Sequence, residues 1–111
     1  FEPVFLNTVE FPDAYWDEVE AGMLQVGVQG FEGFPYTVAR KTGTSESDVA
    51  AQRLENAVFI AYAPAEKPKL AVAVVVPNGG YGAWGAGPIA RKVFDAYDAA
   101  YGLAQKSEDT P

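Results

Sequence analysis

The sequence predicts an α+β fold in which an antiparallel sheet of three strands is covered by helices. Residues 13–26 and 88–101 each repeat apolar side chains at the spacing of an amphipathic helix. Between them, the apolar runs 57–63 and 70–76 have the character of buried strands. The connection over 64–68 is short and contains two prolines, which favours an antiparallel hairpin.

The chain of 111 residues is predicted to belong to a single domain that opens with an extended arm over 1–12. Pro12 and Asp13 suit the start of the first helix, which covers 13–26. Its apolar positions are Trp16, Val19, Met23 and Val26. We expect Trp16 and Met23 to belong to the core.

All three strands are predicted within 34–76, and the first covers 34–44, where Tyr36, Thr37 and Val38 favour an extended backbone. Residues 45–55 are polar and weakly patterned, so they are predicted to form a loop with at most one helical turn.

The last helix is predicted over 88–101, because proline suits a first turn and Gly102 suits a helix end. Residues 105–111 are predicted to be a frayed tail. The expected buried face is Ile89, Ala90, Val93, Phe94, Tyr97 and Tyr101.

Both apolar strands lack alternation, so we expect them to be buried on two faces. Only two amphipathic helices are available to cover those faces. The fold is therefore predicted to be incomplete without an upstream segment or a second copy of the chain.

Composition excludes several kinds of chemistry. With eight basic and fifteen acidic residues, the net charge of -7 argues against nucleic-acid binding. The absence of Cys and His removes thiol nucleophiles, Ser-His-Asp triads, disulfides and the usual zinc sites, so we expect no cofactor and no metal. The acidic residues of the first helix are interpreted as a solvated face: Asp13, Asp17, Glu18 and Glu20.

The tetrapeptide Lys41-Thr42-Gly43-Thr44 lies at the end of the first predicted strand. Lys-Thr-Gly is one of three signatures of serine penicillin-binding enzymes. Taken alone, the motif is weak, and an ordinary strand end with a solvated lysine is the simpler interpretation.

Five blocks around this motif occur in the order found in class B penicillin-binding proteins. They are residues 16–26, 38–45, 59–64, 70–80 and 86–97. The chain therefore resembles the C-terminal part of the transpeptidase domain of that family, which implies a β-lactamase-like fold. Arg40 and Ala61 depart from the resemblance, because the family commonly has glycine at these positions.

The resemblance implies that Lys41, Thr42, Gly43 and Thr44 bind a substrate that ends in a carboxylate. Lys41 would supply positive charge, and the hydroxyls of Thr42 and Thr44 would bind the carboxylate. Gly43 would leave room for the peptide, and the backbone N–H of Thr44 would be a catalytic oxyanion donor.

The serine nucleophile is missing, because no serine of this chain is followed by lysine three residues later. Ser45, Ser47 and Ser107 are followed at that spacing by Asp48, Ala50 and Thr110. The resemblance therefore implies a partner: an upstream part of the same protein that carries Ser-x-x-Lys and Ser-x-Asn.

The complete enzyme is expected to be a D,D-transpeptidase that cross-links peptidoglycan through an acyl-serine and binds β-lactams. Its substrate would be a stem peptide ending in D-Ala-D-Ala. The resemblance implies the extracytoplasmic face of the bacterial membrane, with an N-terminal anchor that is absent from this chain. Phe1 is interpreted as a processing, cleavage or laboratory boundary.

Other interpretations remain open at this point. They are a non-catalytic scaffold of the same fold, a fragment related to serine β-lactamases, and an unrelated α+β interaction module. Residues 80–85 fit Gly-x-Gly-x-x-Gly, but no further strand is predicted after the last helix, which argues against dinucleotide binding. Tyr81 and Trp84 are expected either to be buried or to face a groove.

Overall fold

The computed structural model describes residues 2–27, 30–49 and 52–104. In chain order its elements are α1 (Asp13–Leu24), β1 (Ala39–Val49), β2 (Gln52–Ala63), β3 (Leu70–Val76), α2 (Gly82–Gly85) and α3 (Gly87–Tyr101). The predicted α+β class is confirmed. The predicted tail, 105–111, lies outside the described residues.

The three strands form one antiparallel sheet in the order β1-β2-β3. Gly43 of β1 lies opposite Val58 of β2, which lies opposite Val75 of β3. The predicted hairpin between β2 and β3 is confirmed. Within the described residues β1 pairs only with β2, so its other side is a border of the sheet.

Two predicted boundaries are wrong. β1 begins at Ala39 and not at residue 34, and most of the predicted loop over 45–55 belongs to β1 and β2. The loop prediction is wrong because β3 is short and pairs with β2 only between Ala57 and Ala63. Beyond that point β1 and β2 form a two-stranded ribbon with no third strand beside it, so its residues need not be apolar.

One face of the sheet carries a sealed aromatic core. Phe59 of β2 and Phe94 of α3 are fully buried. Phe31 lies between them, with its ring centroid 5.7 Å from that of Phe59 and 6.0 Å from that of Phe94. Leu103, after the end of α3, is also fully buried. These side chains belong to one buried hydrophobic cluster.

The opposite face is only partly covered, so the prediction that β2 and β3 are buried on both faces is wrong for this chain. Side chains alternate along β3, and those on this face are exposed. Ile60 is 45% exposed and Val75 is 63% exposed. A groove of about 300 Å³ lies here, lined by Met23 of α1 and by residues of β2 and β3.

The first helix buries less of its apolar face than predicted. α1 contains no buried residue, and Trp16, predicted in the core, is 51% exposed. Met23 is half-buried at the groove. The arm before α1, residues 2–12, is exposed along its length. Much of the apolar surface of this region is therefore left uncovered by the residues that the structure describes.

The last helix buries fewer side chains in the core than predicted. Ala90 and Phe94 are buried and Tyr97 is half-buried. Three other positions of the predicted face are exposed: Ile89, Val93 and Tyr101. In the described part of the chain, no helix has the length and apolar character needed to cross a membrane.

Candidate substrate-binding strand

The predicted site residues lie within β1, as its third to sixth residues, and not at a strand end. Lys41 and Thr44 are exposed, and Thr42 and Gly43 are half-buried. An antiparallel pair alternates its hydrogen bonds, so every second residue of β1 directs its N–H and C=O away from β2. The tetrapeptide is therefore accessible, on a strand whose outer side is unpaired in the described residues.

The lysine folds back onto the motif backbone. Lys41 Nζ donates a hydrogen bond to the carbonyl oxygen of Thr42 at 2.7 Å. Side chains alternate along a strand, so Lys41 lies on one face of β1 and Thr42 and Thr44 lie on the other. The ammonium nevertheless stays beside the motif backbone, because its long side chain bends along the strand.

The short helix α2 lies against this strand. Gly82, its first residue, is buried, and its N–H donates to Thr44 Oγ1 at 3.4 Å, a long hydrogen bond. Tyr81 and Trp84, on either side of Gly82, are exposed, which settles the alternative that the sequence left open. Gly82 is the residue of this region that sequence reasoning missed.

The glycines of 79–85 have structural reasons to be glycine. Gly80 has a φ of +77°, in the left-handed region that favours glycine. Gly85 packs so closely on Gly79 and Ala57 that a side chain would collide with both. This stretch is thus a turn packed onto the sheet, and among the described residues no strand follows α3, as a dinucleotide fold would need.

The two departures from the family pattern face each other across the sheet, because Arg40 of β1 pairs with Ala61 of β2. Arg40 is buried; its guanidinium donates to the carbonyl oxygen of Val26 at 2.7 Å and lies 4.9 Å from the ring centroid of Phe31. Burial lowers the pKa of this guanidinium. Arg40 therefore fastens the segment before β1 to the residue that precedes Lys41.

A second contact holds α1 to the sheet. Tyr62 of β2 donates a hydrogen bond to Glu20 Oε2 at 2.7 Å. Burial, and then this hydrogen bond to Glu20, raise the pKa of Tyr62 to about 12. The pair lies on the groove side of the sheet, where Tyr62 also lines the groove.

None of the three serines is followed by lysine three residues later, as the family's nucleophile would be. Ser45 follows Thr44 in β1 and is exposed, and Ser107 lies outside the described residues. Across 2–27, 30–49 and 52–104, no three acidic side chains converge as metal ligands would. On the motif strand itself, Asp48 stands three residues after Ser45, where the family's nucleophile pattern has lysine.

The chain matches the penicillin binding protein transpeptidase domain over residues 2–95. It is 32% identical to the peptidoglycan D,D-transpeptidase MrdA of Haemophilus influenzae in an alignment that covers 86% of this chain and 18% of that protein.

Solved structures agree. Penicillin-binding protein 2B of Streptococcus pneumoniae superposes with a TM-score of 0.78 at 31% identity, over 95% of this chain and 19% of that one. Penicillin-binding protein A of M. tuberculosis, in a ceftriaxone acyl-enzyme complex, gives a TM-score of 0.62 at 34% identity, over 71% of this chain and 20% of that one. The chain therefore spans about a fifth of the length of these relatives.

Proposed function

The chain belongs to the penicillin-binding protein transpeptidase family, and we propose that it forms the C-terminal part of a peptidoglycan D,D-transpeptidase. Its sheet and helices have the β-lactamase-like fold of these transpeptidase domains. In this proposal it supplies the Lys-Thr-Gly strand, and the complete protein works outside the cytoplasmic membrane, held by an N-terminal anchor.

One observation carries the proposal: residues 41–44 are accessible on a strand whose outer side is unpaired in the described part of the sheet. An extended peptide can add to such a border as a further strand, with main-chain hydrogen bonds giving affinity. Gly43 has no side chain to obstruct a peptide at this border. The stem peptide ending in D-Ala-D-Ala would lie along β1 in this way.

The charges suit the end of that peptide. Lys41, with its ammonium beside the motif backbone, would attract the terminal carboxylate, and the hydroxyls of Thr42 and Thr44 would donate to it. The backbone N–H of Thr44 would donate to the carbonyl oxygen that gains negative charge during acyl transfer. β-Lactams carry a carboxylate and a reactive carbonyl, so they would bind in the same way.

The nucleophile would come from the upstream part of the protein. A serine there would attack the carbonyl of the penultimate D-Ala and release the terminal D-Ala, and an amine of a second peptide would then displace the serine. The unpartnered apolar surface supports such a partner: Leu6 in the arm is 93% exposed, and the groove at Ile60 is open. Surface of this kind marks an interface.

The proposal is tested by acylation of the complete protein, including the upstream segment, with fluorescent penicillin. Lys41→Ala should lower the second-order acylation constant about 10-fold to 100-fold, the loss of one hydrogen bond to a charged group. Lys92→Ala, on the exposed surface of α3, is the matched control and should remain close to wild type.

Two results would contradict the proposal. If the complete protein does not label, it is a non-catalytic scaffold. If Lys41→Ala labels as fast as Lys92→Ala, the motif strand is not the binding surface. The 111-residue chain expressed alone should not label, because its serines have no lysine partner.

A further inference from the structure

Gly82 lies directly against the backbone of the motif strand. A Cβ built on Gly82 would lie 2.4 Å from the carbonyl oxygen of Gly43, 2.4 Å from that of Val58 and 2.9 Å from the nitrogen of Gly43. All three atoms belong to the backbone, so no side chain can rotate out of the way. Glycine is required here by space.

The conformation of Gly82 does not itself demand glycine. It is the first residue of α2, and its φ does not lie in the left-handed region, unlike those of Gly30, Gly33, Gly80 and Gly102. An alanine would fit the helical backbone, and only its contact with Gly43 and Val58 would be unfavourable. The same residue directs its N–H at Thr44 Oγ1, 3.4 Å away.

Gly82 therefore touches the motif strand at two consecutive residues. Its backbone lies against Gly43, and its N–H meets the side chain of Thr44. In a tightly packed interior, a displacement of one backbone is transmitted to the backbone it touches. The position of Gly82 thus bears on the position of the Thr44 N–H, which follows Gly43 in the chain.

We propose that Gly82 is a positioning residue for the acyl-transfer site, holding the backbone of Gly43 and Thr44 where the oxyanion donor is needed. This inference rests on the proposed function, because it assigns a task to the Thr44 N–H. α2 packs directly against β1 and limits the movement of its backbone. It can pack this closely only because its first residue lacks a side chain. Gly82 does not itself touch the substrate.

The chain offers a matched control within the same short helix. A Cβ on Gly85 would lie 2.2 Å from the carbonyl oxygen of Gly79 and 2.7 Å from Ala57 Cβ. Gly85→Ala therefore introduces a collision of the same kind, but against residues outside the motif strand. Of these, Ala57 borders that strand as the partner of Thr44. Both variants should lower the melting temperature, but only Gly82→Ala presses directly on the motif backbone.

The experiment compares Gly82→Ala and Gly85→Ala in the complete protein, with acylation by fluorescent penicillin resolved into a binding constant and a first-order acylation rate. Gly82→Ala should lower the acylation rate about 10-fold to 100-fold, as expected when a catalytic group moves by a fraction of an ångström to one ångström. The binding constant should change less, because the oxyanion interaction forms mainly in the transition state. Gly85→Ala should lower the rate much less, because its collision reaches the motif strand only through Ala57.

Equal acylation rates for the two variants in their folded fractions would overturn the inference. If the wild type itself fails to label, the proposed function has failed instead, so the two failures are distinguishable.

A second measurement needs no variant. Amide hydrogen exchange in the wild type should slow at Gly82 more than at Gly85 once the acyl-enzyme has formed. Protection of β1 without any change at Gly82 would contradict the contact on which the inference depends.

Discussion

The two faces of the sheet differ in completeness. On the α3 face, Phe59 and Phe94 are fully buried and Phe31 packs between them. On the α1 face, Ile60 and Val75 remain exposed around an open groove. The same strands supply both faces, so the difference arises from what covers them.

The two faces show which side of the sheet the described residues bury by themselves and which side they leave exposed. The α3 face is a finished core that fixes β1, β2 and α2 relative to one another. The α1 face leaves Ile60 and Val75 exposed, and in the proposed function an upstream segment covers them. The motif strand lies at the border of the same sheet, so a segment that covers the α1 face can also bring a nucleophile near residues 41–44.

The largest expected effect is on the finished face. Phe94→Ala in the complete protein should lower the free energy of unfolding by about 3–5 kcal/mol, because it removes a fully buried ring and leaves a cavity. Urea denaturation measures this. Val93→Ala, beside it on α3 but exposed, should cost far less; equal losses would mean that the sealed core is wrongly placed.

The next effect tests whether the α1 face is covered in the complete protein. Ala73, which lies at the groove and is exposed in this chain, is replaced by lysine. If an upstream segment packs there, Ala73→Lys should destabilise the complete protein by about 3 kcal/mol, since it buries an unpaired charge. Thermal and urea unfolding report it.

Ala96→Lys, at an exposed position of α3, is the control for that charge and should be close to neutral. A neutral Ala73→Lys in the complete protein would show that the groove stays in water and that no segment covers it.

The smallest effect concerns the contact between α1 and the sheet. Burial, and then Glu20, raise the folded-state pKa of Tyr62 from its ordinary value of 10.0 to about 12. The folded protein therefore retains the phenol proton that the unfolded chain loses. This contribution to stability is fully present below pH 10 and is lost as pH rises through about 12.

Urea midpoints between pH 9 and pH 12.5 should therefore fall more steeply for the wild type than for Tyr62→Phe. Tyr101→Phe, at an exposed position, should follow the wild type. Identical pH profiles for wild type and Tyr62→Phe would mean that neither burial nor the hydrogen bond to Glu20 raises the pKa of Tyr62.

The sequence predicted the elements that bury apolar side chains and failed where burial does not govern the pattern. The run over 70–76 and the stripe with Ala90 and Phe94 are apolar because they face the core. The prediction of a loop over 45–55 is wrong because a two-stranded ribbon does not require apolar residues. The exposed Trp16 was placed in the core because helical periodicity does not reveal which surface covers it.

The site shows the same division. The sequence predicts Lys41, Thr42, Gly43 and Thr44 as site residues because the motif is contiguous, and the structure places these residues in β1. Gly82 was missed because its approach to Gly43 joins residues distant in the chain. The glycines of 79–85 indicate tight packing in the sequence, but only the structure shows which strand they pack against.

The central claim is that β1 receives a peptide carboxylate and a reacting carbonyl along its free border. The most direct test is a crystal structure of the complete protein acylated by penicillin. We expect the ligand carboxylate to lie within hydrogen-bonding distance of the Thr42 or Thr44 hydroxyl. The acyl carbonyl oxygen should accept a hydrogen bond from the Thr44 N–H. A structure in which another strand of the protein pairs with residues 41–44, or in which the acyl group lies away from Thr44, would contradict it.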